Sequence, residues 1–171
     1  MLGYGRGFKA WVADFGDLRP EHVVLDVGIG TGVLARELLG RHPTLSLSGI
    51  DPDPKALRIA RRAEVRSLAR AVGEALPFAD RTFDRVFSTL ALHHVPDAWR
   101  GRVFAEIRRV LKADGTFIYV DFENHRRWWV PRRFASARRL GEWLEEAGFA
   151  HEQVGHRRGA WVFRARARRD Q

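Results

Sequence analysis

The chain of 171 residues contains no cysteine, which excludes disulfides, thiolate metal centres and cysteine nucleophiles. No stretch approaches the roughly 18 to 20 apolar residues needed to cross a bilayer. The opening "MLGYGRGFKAWVADFGDL" interrupts its apolar residues with charge and glycine, so it lacks the unbroken core of a secretory signal. These absences point to a cytoplasmic protein with no membrane span. Internal repeats, low-complexity segments and linkers are also missing, and the length suits one packed core. The expectation is a single domain over residues 1–171, with residues 1–22 as a short N-terminal segment. Lysine is scarce: only Lys9, Lys55 and Lys112 stand among 30 basic residues, so 27 are arginine and the net charge is +9. Such a surface is compatible with RNA or another polyanion. It is equally what results when arginine is written wherever a solvated cation suffices, and the scattering of the arginines, with only a moderate rise after Arg126, favours that reading.

Apolar residues make up 45% of the chain, a globular proportion. Short apolar runs alternate with amphipathic stretches, the pattern of a parallel sheet covered by helices. Strands are predicted at Val23–Val27, Leu45–Ile50, Leu68–Val72, Arg85–Thr89 and Thr116–Phe122. Helices are predicted at Thr31–Arg41, Pro54–Ala63, Ala98–Leu111 and Ala135–Ala147. Pro54 suits a first helical turn and Gly148 a left-handed C-terminal cap, while Asp97 is a candidate N-cap. Beyond Gly148, glycines at 155 and 159 and the alternation of Trp161, Phe163 and Ala165 predict a terminal antiparallel hairpin.

The sharpest local feature is "VVLDVGIGTG", in which an apolar strand ends in Asp26 and then Gly28, Gly30 and Gly32. Glycines at those positions permit backbone angles other residues avoid and let a ligand approach the main chain. Position 33 is valine, so the one-three-six spacing of the dinucleotide fingerprint is not met. A second acid, Asp51, ends the next predicted strand in "LSLSGIDPDP". A carboxylate there accepts hydrogen bonds from both hydroxyls of a ribose.

Together with "GIDPDPKAL", "GEALPFADRTFDRVFSTLALHHV", "EIRRVLKADGTFIYVDF" and "LGEWLEEAGF", this stretch resembles the class I S-adenosylmethionine-dependent methyltransferases, in the ubiquinone/menaquinone-biosynthesis-like (type 11) group. The likeness runs over nearly the whole chain. It implies an α/β, Rossmann-like doubly wound sheet of seven strands, order 3-2-1-4-5-7-6, with the last strand antiparallel and helices on both faces. It also implies S-adenosylmethionine as cofactor and S-adenosylhomocysteine as product. Carried onto this chain, Gly28, Gly30 and Gly32 pass under the methionine and ribose part and Asp26 holds the methionine amine. Asp51 takes the ribose hydroxyls with Pro52 beside the adenine, the main chain at Gly73 and Glu74 meets the adenine edge, and Ser88 and Thr89 line the sulfonium end. The family usually has an acid where Val72 stands, so Glu74 or a backbone carbonyl takes over the adenine amino group. Ile29 replaces a common cysteine or alanine at a backbone contact.

His93 and His94, just past the fourth strand, are candidate proton acceptors for a substrate hydroxyl or amine, against the alternative that one of them packs or satisfies backbone groups. The segment "DRTFD" reads as a turn. Residues 123–136 form the one long irregular stretch, where Trp128 and Trp129 with Arg126, Arg127, Arg132 and Arg133 form either a substrate lid or an amphipathic cover. Methyl transfer from a sulfonium is an in-line displacement in which the cofactor carries the reactivity, so no catalytic triad is required. The expected acceptor is an O, N or C nucleophile of a small molecule. A pyrimidine-carbon methylase is excluded by the lack of cysteine, and "STLALHH" lacks the Pro-Pro-aromatic segment of DNA amine methylases. RNA remains an alternative substrate. So does a non-catalytic cofactor-binding scaffold, since about 22 residues before the first strand leave little to roof the pocket without a partner or self-association.

Overall fold

The runs "VVLDV" and "TFIYV" are nearly all apolar, as strands covered on both faces require. In the computed structural model, which describes residues 6–122 and 135–168, they lie in one seven-stranded sheet. The elements in chain order are α1 (Arg6–Asp14), β1 (Val23–Val27), α2 (Val33–Arg41), β2 (Ser46–Asp51), α3 (Pro54–Ala60), β3 (Ser67–Arg70), β4 (Phe83–Thr89), α4 (Asp97–Val110), β5 (Leu111–Phe122), α5 (Ala137–Glu146), β6 (Phe149–Arg157) and β7 (Ala160–Ala167). Short 3₁₀ turns occupy Arg61–Ala63 and Leu92–His94. The strand order is β3-β2-β1-β4-β5-β7-β6, with β1 to β5 parallel and β7 antiparallel to both β5 and β6. The expected order and the antiparallel last strand are both observed.

Alternation along β5 divides the core: Phe117 and Tyr119 face α4 and α5, while Ile118 and Val120 face α1 and α2. On the first face Val103, Phe104, Ile107 and Val110 of α4 are fully buried, the three-and-four spacing of one helical stripe. The hairpin follows the same rule, since Phe163 and Ala165 join the α4 side and Ala160 and Val162 the α1 side. Its two-residue turn, Arg158–Gly159, has both φ values positive (54° and 75°), the twist that matches flanking strands.

Several boundaries differ from expectation. Helix α1 has no counterpart among the expected elements, because glycines at 3, 5, 7 and 16, one of them inside the helix, mask the burial of Phe8 and Val12. The third strand lies at Ser67–Arg70 rather than Leu68–Val72, and Ala71 and Val72 leave the sheet. Leu111 belongs to β5, where it pairs with Phe83 before the register shifts between Phe83 and Arg85. Asp97 is not the N-cap of α4: Pro96 holds that position with no side-chain cap, and Asp97 sits in the first turn, 3.3 Å from Arg100. Asp53, in contrast, caps α3 by accepting from the Lys55 N–H, with Pro54 in the first turn.

Candidate functional site

The parallel order reverses between β1 and β4, the position at which an open α/β sheet leaves a crevice beyond its carboxyl ends. A cavity of about 720 Å³ opens there. One side is the turn after β1. The N–H groups of Gly28 and Ile29 both donate to the Ile50 carbonyl at 2.9 Å, which fastens this turn to the end of β2. Gly28 and Gly30 have φ values of 76° and 56°, a region costly for any residue with a Cβ. Their uses differ. A Cβ on Gly28 would stand 2.4 Å from the Ala91 Cβ, so this glycine admits the loop after β4. A Cβ on Gly30 would meet nothing within 4 Å, so Gly30 is the one whose bare backbone faces open space. Gly32 packs against Ala60 of α3. Gly28 thus lines the cavity as well as admitting that loop, whereas Gly32 serves internal packing. Ile29 is buried over Gly49, a core position.

Asp51 ends β2 in the cavity wall. Its Oδ2 accepts from the Gly30 N–H at 2.9 Å and its Oδ1 from the Asp53 N–H at 2.8 Å. A carboxylate has about four acceptor positions, so these two bonds fix its orientation and leave one position on each oxygen. Pro52, Gly73 and Glu74 also line the cavity, with Ala71 and a half-exposed Val72 at the rim. That rim is held from behind: Glu106 of α4 accepts from the Leu76 N–H at 2.8 Å, and Arg109 bridges Glu106, Asp80 and the carbonyls of Leu76 and Phe78. Asp80 and Arg81 of "DRTFD" form a turn, and β4 starts at Phe83. The opposite wall runs from Leu90, left-handed at φ 57°, through Ala91, Leu92 and His94 to Pro96.

Besides Gly32, four of the expected site residues lie outside the cavity lining. Asp26, 2% exposed, shares the α1 side of the sheet with Val24 by strand alternation. Burial raises its carboxyl to about 7, Lys9 of α1 pulling it down and Asp51 pushing it up. Burial likewise lowers the Lys9 ammonium to about 8 against the pull of Asp26. Ser88 is fully buried and donates to the Val27 carbonyl at 3.0 Å, which takes up its hydroxyl. Thr89 is buried with an Oγ1 that has no hydrogen-bond partner among the described residues. His93 turns toward β5, with Nδ1 2.8 Å from Asp121 Oδ1. Trp128, Trp129, Arg126, Arg127, Arg132 and Arg133 lie outside the described residues.

Lys9 and Asp121 were not singled out from sequence. Lys9 sits in the unforeseen helix, and its one signal is the scarcity of lysine. Asp121 follows four fully buried residues of β5, Phe117 to Val120; an acid ending such a strand is the signal that marked Asp26 and Asp51.

The cavity, with its apolar rim, a fixed carboxylate and bare backbone at Gly30, suits a nucleoside bearing a second polar group. Comparison with known proteins agrees. The family described as "Methyltransferase domain" matches over residues 25–119. The chain is 37% identical over 107 residues to a demethylmenaquinone methyltransferase of Thermotoga maritima, covering 61% of this chain and 45% of the relative. It is 40% identical over 103 residues to a malonyl-[acyl-carrier protein] O-methyltransferase of Geobacter sulfurreducens, covering 58% and 38% respectively. The chain thus spans less than half the length of either relative. A solved S-adenosylmethionine-dependent methyltransferase from Aquifex aeolicus has the same fold, with a TM-score of 0.76 at 20% identity over 92% of this chain and 88% of that one. On the strength of the family match, joined to the observed strand order, the chain belongs to the class I S-adenosylmethionine-dependent methyltransferases of the type 11 group.

Proposed function

We propose that this protein transfers a methyl group from S-adenosylmethionine to a nucleophile on a small molecule. The observation that carries the reading is Asp51, locked by two backbone N–H groups in the wall of the switch-point cavity. Its remaining acceptor positions match the 2′- and 3′-hydroxyls of a ribose. Pro52, Ala71, Val72 and Leu92 offer apolar surface for the adenine, with the backbone at Gly73 and Glu74 at its polar edge. Val72 leaves that edge without the family's usual acid, and Glu74 stands two residues on. The Thr89 hydroxyl, which has no partner among the described residues, and the buried Asp26 would face the amino-acid end, where an ammonium group gives Asp26 a counter-charge.

The bound cofactor supplies a methyl group on a positively charged sulfur, whose bond electrons remain with sulfur as the methyl departs. The chain's own part is alignment and exclusion of water. The two hydrogen bonds from the Gly28 and Ile29 N–H groups to the Ile50 carbonyl, and that from Gly30 to Asp51, hold the cradle in place before a ligand arrives. The Arg109–Glu106 clamp holds the opposite rim.

The test pairs binding with turnover. Calorimetry with S-adenosylhomocysteine should show one site. Incubation with methyl-tritiated S-adenosylmethionine and either the small-molecule fraction of a bacterial extract or total RNA should place label on the small molecules. Label on RNA alone would replace the acceptor class, and binding without transfer to either would favour a scaffold.

A further inference from the structure

We propose that the β3 edge of the sheet carries a second ligand site, which takes a small phosphate monoester with an apolar or aromatic part. The site is independent of the methyltransferase reading. β3 is an edge strand, and α3 crosses from β2 to β3, leaving a cavity of about 330 Å³ between helix and strand. Pro54, Leu57 and Leu68 form its apolar part, with Leu57 buried in the core cluster on which Leu68 packs. The rest of the lining is Arg58, Arg61 and Arg70, all of them exposed. Arg58 and Arg61 stand three residues apart where α3 passes into the 3₁₀ turn, a spacing that makes neighbours on one helical face. Arg70 ends β3 in register with Asp51, and its Nε donates to the Pro52 carbonyl at 3.3 Å, which ties the guanidinium beside the cavity.

Charge balance separates these arginines from the others. Arg41, Arg109, Arg139 and Arg164 each meet a carboxylate, but among the described residues Arg58, Arg61 and Arg70 form no ion pair. Their stretch, "RIARRAEVRSLAR", holds five arginines and one acid, so the chain itself does little to relieve their repulsion. Three cations converging on one concavity without a counter-charge favour an anion there. Arg58 and Arg61 also suit the last carbonyls of α3, but that role does not account for Arg70. A carboxylate offers two oxygens, whereas a phosphate monoester offers three and nearly two charges, one oxygen for each guanidinium. Leu57, Leu68 and Pro54 then take the organic group of the ester. The volume is at the small end of ligand pockets, which suits one phosphate and a ring better than a polymer. No lining residue is shared with the cofactor cavity: Asp53 and Ala56 line that one, and Pro54, Leu57 and Arg58 this one, so α3 is the wall between them.

The probes are phenyl phosphate, inorganic phosphate and phenol, titrated into the whole chain by calorimetry at about 0.1 M salt, with and without saturating S-adenosylhomocysteine. One site for phenyl phosphate is expected, tighter than for inorganic phosphate, with no uptake of phenol. Arg58→Gln and Arg61→Gln should each weaken it about 10-fold. Arg138→Gln removes the same charge from an exposed position on α5 and should leave the affinity within about twofold of wild type. All three positions are at the surface, so the variants keep the fold, and thermal melts check this. Absence of saturable phenyl phosphate binding, equal weakening by Arg138→Gln, or competitive displacement by S-adenosylhomocysteine overturns the proposal. So does tighter binding of a single-stranded RNA oligomer with equal losses in all three variants, the mark of a diffuse polyanion surface. Uptake of phenyl phosphate by protein that takes up no S-adenosylhomocysteine would sink the methyltransferase reading and uphold this site.

Discussion

Replacing Asp26 with asparagine should make the ligand-free protein more stable at neutral pH while weakening its hold on the cofactor. In the folded chain the Asp26 carboxyl is raised by burial from 3.8 to about 7. Between those values the unfolded chain has released the proton that the native state keeps, so wild-type stability falls as pH rises. The slope is about 1.4 kcal/mol per pH unit, and it ends near the native value. Asparagine carries no such proton. The stability difference, variant minus wild type, should therefore grow by about 2 kcal/mol from pH 5 to pH 7 and level above pH 8. Two effects reduce the absolute gain without removing its pH dependence: a buried amide costs about 1–3 kcal/mol if left unpaired, and Lys9 loses the charge that raises it. Urea unfolding of both proteins at pH 5, 6, 7 and 8 supplies the difference directly. A difference independent of pH, or one that grows toward acid, would show that Asp26 is ionised and stabilising in the native state, and the argument from burial would be wrong.

Asp51→Ala should lower S-adenosylhomocysteine affinity by roughly 1 to 3 kcal/mol by calorimetry, and unchanged affinity would remove Asp51 from the site. Gly28→Ala should cost about 3 kcal/mol or more in thermal unfolding, because a left-handed alanine would also press on Ala91. Gly30→Ala should cost only about 1 kcal/mol in stability but impair binding; equal melting losses would contradict the division of labour between the two glycines. Binding of S-adenosylhomocysteine at pH 6 should release protons, seen as a buffer-dependent heat, because an ammonium beside Asp26 favours its ionised form. Affinity should accordingly rise from pH 6 to pH 7, and a heat independent of buffer would place the amine elsewhere.

The parts of the fold legible from sequence are those with a physical period. Buried parallel strands announce themselves as apolar runs, and β1, β2, β4 and β5 were located within a few residues. Helix α1 was not, since its glycines hid an apolar stripe that becomes meaningful only once Trp11 and Phe15 lie against Gly155. At the site, the glycine spacing and Asp51 identified the cavity because backbone geometry and a strand-end acid are local properties. The division of the glycines between packing and ligand, and the turning of Ser88 toward Val27, depend on neighbours distant in the chain. His93 was a candidate from its place after β4, but Asp121, which orients it, lies 28 residues away. Residue type alone does not reveal such a partnership.

The seating of α1 on the terminal hairpin has a kinetic consequence. Arg164 of β7 donates to the Phe15 carbonyl across 149 residues, and β7 inserts between β5 and β6. During synthesis, β5 must wait with one edge unpaired until residues 160–167 emerge from the ribosome, and α1 waits for the surface it covers. Such distant pairing slows folding and exposes an apolar strand meanwhile. Truncation within β7 should thus yield aggregation, whereas slowing translation before it should make the nascent chain depend on a chaperone.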